Sequence, residues 1–331
     1  MLAIIVLAAL GWTGWWFFIA TAKEAALTAW LDARRAAGWV AEAEAIDVTG
    51  FPYRVDTTVR GLDLANPEGG WAWSAPTFQF LTLAYEPNHL IAIWPPEQRF
   101  ATPLGATEIR SETMRGSVIV EPNLALALER TTIDLAGVDL IGEGWEIAID
   151  KAILATRQAE GADAPPFAHD IAFTAEGLAL PEAWTRFDRA NVLAPVIETV
   201  SFDALAAFDR PWDRPAIEGD QPALEALEIR DMSFAWGDFD LRGQGSLRAD
   251  ARGFAEGRIK LRARNWKEML KVAEDAGALA PGVASALRGG LGLLARLGGD
   301  RSTLDVPLEF SDGVIRLGPV PLGPAPRMIR R

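Results

Sequence analysis

The sequence predicts a mainly β protein with helices: an N-terminal transmembrane helix, then a large curved antiparallel sheet, groove-shaped or open and barrel-like, with short capping helices. Three observations predict it. Residues 1–22 are apolar and carry no charge. From Asp47 onward, apolar and polar residues alternate with period two through many runs. Short stretches rich in Asn, Pro and Gly separate those runs, which is hairpin chemistry and not the long crossover of a parallel sheet.

The first segment, MLAIIVLAALGWTGWWFFIATA, would span about 33 Å as a helix, against a bilayer core of about 30 Å. Trp12, Trp15, Trp16, Phe17 and Phe18 crowd its second half and read as an interfacial belt. Ala20-Thr21-Ala22 also fits a signal-peptidase site, so a cleaved periplasmic form is the alternative. The length of the run and the helical composition beyond Lys23 favour an uncleaved anchor. Orientation is contested within the sequence itself. Lys23, Arg34 and Arg35 follow the span, which taken literally keeps the body cytoplasmic. A β-rich body behind a single N-terminal span favours export, so the expectation is a single-pass inner-membrane protein with its body in the periplasm. Residues 23–46 place Leu27, Trp30, Leu31 and Trp39 near one helical face. They read as a helix that continues the anchor or lies on the surface as an amphipathic stalk, or else as a helix covering a sheet.

Residues 47–331 form the β-rich body. Phe51, Tyr53, Val55, Thr57 and Val59 share one parity, and similar alternation recurs through GSVIVEP, WEIAIDKAILAT and GRIKLRAR. Gly61-Leu62-Asp63-Leu64 and Gly137-Val138-Asp139-Leu140 echo each other, each ahead of a Gly-Trp pair; Trp236–Leu241 repeats part of the idea. The spacing is irregular, which suggests repeated hairpins and not a solenoid. Helical insertions are expected near 181–210 and 265–298. Asn265 stands where an N-cap belongs, Pro281 opens the second helix, and the stripe Leu291, Leu293, Leu294 and Leu297 either faces a core, the favoured reading, or inserts into lipid.

Composition excludes several functions. A formal charge of -13 opposes nucleic-acid binding, and the absence of cysteine removes thiolate chemistry and disulfides. Only two histidines exist, His89 and His169, and no nucleophile, phosphate-loop or zinc motif accompanies them. No catalytic residue, cofactor or metal is expected, and the chain does not read as an enzyme. Two clusters stand out as binding candidates. Trp71, Trp73, Phe78, Phe80 and Trp94 either fill a core or line an apolar trough that takes an acyl chain. Arg258, Lys260, Arg262 and Arg264 share one parity and either pair with acidic neighbours across the sheet or meet anionic lipid headgroups. Arg327, Arg330 and Arg331 form a second basic spot.

The apolar start, GFPYRVDTTVRGLDL, the long string WAWSAPTFQFLTLAYEPNHLIAIWPPEQ, GRIKLRARNW and the end piece LEFSDGVIRLGPVPLGPAPRM together resemble the bacterial family called domain of unknown function 2125. The resemblance implies a single-span envelope protein with a β-rich body, and it brings no catalytic residues to carry over. In outline the architecture is similar to AsmA-type proteins, whose curved sheets form grooves associated with lipids; that likeness is an analogy of fold. The expected function is a membrane-anchored envelope protein binding lipid or another apolar molecule. The alternative is a non-enzymatic envelope scaffold that recruits protein partners, with the proline-rich turns and tail as docking points.

Overall fold

The computed structural model describes all residues except 182, 184–185, 187–191, 298–301, 319 and 330–331, and also omits the side chains of 218 and 293–297. The expected fold class holds: the protein is mainly β, its paired strands run antiparallel, and its N-terminal helix is apolar. The chain divides into two compact units. The first comprises Met1–Leu126 and Arg130–Glu146, the second Ala127–Glu129 and Ile147–Arg331.

In the first unit, α1 (Leu2–Ala36) is one unbroken helix. Arg34 and Arg35 favour its C-terminal dipole end, and Gly38 at φ +84 turns the chain away. Strands β1 (Val40–Glu42) and β2 (Ala45–Thr49) pair end to end along β3 (Arg54–Asn66), which pairs with β4 (Trp71–Leu83). Next, β5 (Glu86–Ile93) and β6 (Glu97–Thr102) lie in tandem between β4 and β7 (Gly105–Val120). The break between them is Pro95-Pro96, which cannot donate to a ladder. β8 (Leu128–Gly142) comes after; Arg115 on β7 meets Asp134 on β8 at 2.6 Å.

The second unit is a meander. β9 (Trp145–Gln158), β10 (Ala168–Ala179), β11 (Val196–Phe208), β12 (Leu224–Trp236), β13 (Phe239–Ala249), β14 (Ala255–Arg264), β15 (Thr303–Ser311), β16 (Val314–Leu317) and β17 (Val320–Pro324) each pair with the next. The short helix α2 (Arg214–Glu218) is capped by Asp213. Helices α3 (Trp266–Asp275) and α4 (Pro281–Leu297) interrupt β14 and β15. They cover the sheet through Trp266, Leu287 and Leu291, which pack on Ala263, Leu304 and Val306, and Arg288 clamps Glu274 at 2.6 Å.

Three expectations need correction. The helix expected over residues 23–46 stops at Ala36 and strands begin at Val40; up to that point α1 continues past Ala22 and covers the sheet, burying Leu31, as two of the expected readings have it. Part of the helical insertion expected near 181–210 is not helix, because Val196–Phe208 is a strand; residues 182, 184–185 and 187–191 lie outside the described residues. The β-branched start of VIETVSFDALAAF and ladders on both sides override the helix propensity of its Ala-rich end. Asn265 precedes α3 but adopts φ +57 and makes no side-chain cap; its amide donates instead to the Asp238 carbonyl at 2.7 Å. The insertion near 265–298 is helical as expected, Pro281 opens α4 and Leu291 is buried, while the side chains of Leu293, Leu294 and Leu297 lie outside the described residues.

The echo in the sequence has a structural meaning. Gly61 and Gly137 both take left-handed φ, +56 and +54, in mid-strand. Each sits under an acidic side chain, Glu44 from the bend between β1 and β2 and Glu112 from β7 respectively. Gly177 at φ +64 beneath Asp150 is a third instance, which the alternation of EGLAL conceals. An L side chain at these points would be strained and would strike the carboxylate's own stem.

Candidate functional site

The apolar site of the first unit begins with Gly61. Strict alternation would put Trp71 and Trp73 on one face of β4 and Phe78 and Phe80 on the other. Both strands change parity together. In β3 the buried set passes from Val55, Thr57 and Val59 to Leu62 and Leu64; in β4 it passes from Ala75 to Phe78. The switch falls where Gly61 faces Pro76, the one gap in an otherwise continuous ladder. A left-handed residue twists the strand locally, as a bulge does, and re-aims the side chains beyond it. The two aromatic pairs therefore meet. Trp73 stands edge-on to Phe78 with centroids 5.2 Å apart, Phe78 contacts Phe80 at 4.6 Å, and Trp94 leans on Phe78 at 5.2 Å. The Trp73 indole donates to Gln98 Oε1 at 2.7 Å, and Gln98 is itself buried, so the ring's polar edge is satisfied.

α1 lies over this face. Leu27 and Leu31, one turn apart, point at Val59, Leu62 and Leu64, and Trp30 stands beside them. Between helix and sheet remains a cleft of about 290 Å³ with almost no polar surface. Of the five predicted aromatics, Trp73, Phe78 and Phe80 line it. Trp71 and Trp94 belong to the same cluster but not to the lining: Trp71 packs between Trp39 (5.2 Å) and Phe100 (6.4 Å), and Trp94 packs over Gly116. Arg34 was not singled out by the sequence. Its guanidinium stacks on Trp30 and Trp39, at 5.5 and 5.4 Å, and has no ion pair among the described residues.

The cationic strand of the second unit has the expected alternation, with Arg258, Lys260, Arg262 and Arg264 exposed and Ile259 and Ala263 buried. Two of its four charges are answered across the ladder. Arg262 makes a two-pronged contact with Asp305, at 2.7 and 3.1 Å, and Arg258 meets Glu309 at 2.6 Å. The hydrogen bonds that Arg262 donates to Asp305 raise its pKa further above the ordinary value. Lys260 faces Gln244 and Pro307, and Arg264 faces Asp240 and Thr303; neither forms an ion pair among the described residues. A shallow depression of about 600 Å³ lies over this face, bordered by Arg242, Arg258, Lys260 and Arg262 together with Asp231 and Asp305. Arg327 stacks on Phe254 at 4.6 Å, while Arg330 and Arg331 lie outside the described residues.

The histidines are separate. His89 Nε2 and Ser117 Oγ are 2.8 Å apart, but Ser117 is the ring's one hydrogen-bond partner among the described residues, so no third group orients it as a base. His169 starts β10 and is buried against Phe208, its Nδ1 without a partner. Burial lowers its pKa, and the adjacent Asp170 only partly offsets this. Burial also works against ionisation of Asp170, yet hydrogen bonds from Arg230 (2.6 Å) and Arg157 (3.0 Å) outweigh it and hold the carboxyl below its ordinary range.

An antiparallel β protein with an apolar helix at its N-terminus, the single described helix long and apolar enough to cross a membrane, fits the class of membrane-anchored proteins. The chain belongs to the bacterial family DUF2125, described as an uncharacterized protein conserved in bacteria, whose model matches residues 16–326. No curated protein and no solved structure matches it.

Proposed function

We propose that this is a non-enzymatic, membrane-anchored envelope protein, its body in the periplasm, that shelters one acyl chain of a lipid in the cleft between α1 and the aromatic face of β3 and β4. The observation that carries this reading is the lining: Leu27, Leu31, Leu62, Trp73, Phe78 and Phe80 enclose space and offer no converging polar group for chemistry. Ligand pockets start at about 300 Å³, so this cleft suits one chain and not a whole lipid. Arg34 lies one helical turn beyond Trp30 and is free to meet an acidic headgroup, which supports an anionic amphiphile. On the charged face of the second unit, Asp305 and Glu309 already occupy Arg262 and Arg258, which leaves Lys260 and Arg264 as the unpaired cations among the described residues there.

Native mass spectrometry of the full-length protein, released gently from membranes, tests the proposal. The expected result is a mass increment of one acyl-bearing molecule on the wild type, lost in Leu27→Trp, whose ring fills the cleft, with the circular dichroism spectrum unchanged. A wild type that carries no such molecule overturns it. A stoichiometric protein partner in its place would support the scaffold reading.

A further inference from the structure

We propose that the end of the first unit beside α1 is itself immersed in the bilayer interface, with Phe51, Tyr53 and Tyr85 seated at headgroup depth, so that the sheet stands directly on the membrane. This rests on the reading of α1 as a membrane anchor.

Four observations converge. First, the apolar run and the body overlap. The Trp12 indole donates to the Pro52 carbonyl at 2.9 Å and Trp16 to the Arg54 carbonyl at 2.7 Å, while the charge-free run continues to Ala22. From Trp12 to Ala22 an α-helix rises about 15 Å, so a stretch of the apolar run lies alongside the sheet and not ahead of it. Second, that stretch is covered on one face only. Trp16 and Ala20 pack on Val55 and Ala84, whereas Trp15, Phe17 and Phe18 remain half or more exposed at the same level.

Third, the neighbouring hairpin tips continue this bare surface. Phe51 (50% exposed) touches Trp16 and Phe17, with centroids 5.5 and 6.1 Å apart. The Tyr53 carbonyl accepts from the Ala84 amide at 2.8 Å, which brings the β4–β5 turn and Tyr85 alongside. Tyr53 and Tyr85 are 66% and 64% exposed, and neither tip, Gly50–Tyr53 or Ala84–Tyr85, carries a charged residue. Fourth, these are the protein's only two tyrosines. Tyr and Trp, with an apolar ring and a polar edge, concentrate where a membrane meets water. A bare aromatic surface continuous with an exposed apolar helix is covered by what covers the helix, and that is lipid.

The absence of cysteine makes the test clean. Single variants Phe51→Cys, Tyr53→Cys and Tyr85→Cys of the full chain are labelled with an environment-sensitive fluorophore and reconstituted in phosphatidylcholine–phosphatidylglycerol vesicles. Ile5→Cys reports the anchor. Leu104→Cys is the negative control: it is fully exposed in the β6–β7 turn, beside the far end of β3, where Pro103 approaches Gly70. Blue-shifted emission at Phe51, Tyr53 and Tyr85, quenched by lipids with a nitroxide high on the acyl chain, is expected, with Leu104 unaffected. Quenching at Ile5 alone would overturn this inference and leave the anchor standing. No quenching at Ile5 would remove the anchor and the inference with it.

Discussion

Both units solve one problem, an antiparallel sheet with an apolar face, by laying a helix over it, and they solve it to different degrees of completion. In the second unit α3 and α4 close over the sheet, and Trp266 and Leu287 are each left 2% exposed. In the first, the second half of α1 covers the sheet but leaves the cleft beside Trp73, Phe78 and Phe80. The cause lies in the covering helices. α3 and α4 are short, adjacent and joined by Arg288 and Glu274, so they settle wherever packing is best. α1 is a single rod tied to its sheet at several points, by Trp12 and Trp16 to the Pro52 and Arg54 carbonyls, by Lys23 to Thr82 and by Arg35 to the Ala41 carbonyl. Two short helices thus close over one sheet, whereas one long helix leaves an apolar cleft over the other.

The sharpest break of this comparison is in the filled unit. Leu287→Ala should cost about 2–5 kcal/mol, measured as the loss in chemical denaturation of the second unit. Adding bulk should show the reverse contrast. Ala284→Leu, at a position with no exposure, should destabilise by about 1–3 kcal/mol through overpacking, whereas Leu27→Trp in the first unit should cost clearly less because the ring enters free space. Equal costs would mean that the two covers do not differ.

Gly61→Ala comes next. At φ +56 an alanine costs about 1–2 kcal/mol from backbone sterics, and it also displaces Glu44. If Gly61 is what brings Trp73 against Phe78, the near-ultraviolet circular dichroism of the aromatic cluster should fall with it.

A smaller effect is expected at His169. Its folded pKa is lowered by burial, so the unfolded chain takes up a proton below about 6.5 while the folded chain does not. Stability should therefore fall as pH drops below that ordinary value toward the folded one, and His169→Phe should flatten the slope in that window. Smallest of all, Arg262→Ala should lower the melting temperature only slightly, because solvent screens its exposed pair with Asp305, and Lys260→Ala less still.

Much of the architecture was legible in the sequence because period two, proline breaks and a charge-free leader are local signals. Pro95-Pro96 marks the break between β5 and β6, though not their tandem pairing, and the cationic parity of Arg258 to Arg264 follows from spacing alone. What spacing could not supply was tertiary. Val196–Phe208 became a strand because two neighbours paired with it. The partners of the cations came from Asp305 and Glu309, on a strand separated from β14 by two helices. The cleft was half visible: the aromatics were, but strict alternation set Trp73 and Phe78 on opposite faces. Only the left-handed Gly61 reunites them, and a glycine inside a run of alternating residues announces a bulge without saying which faces it exchanges. Arg34 was hidden because its meaning depends on Trp30 and Trp39 closing around it.

The most direct measurement is an experimental density map of the full-length protein in a lipid nanodisc, read at the cleft. An elongated apolar density against Trp73, Phe78 and Phe80, with Leu27 held off the sheet, is the predicted result. Leu27 and Trp30 collapsed onto Val59 and Leu62, with no space left between them, would contradict the account.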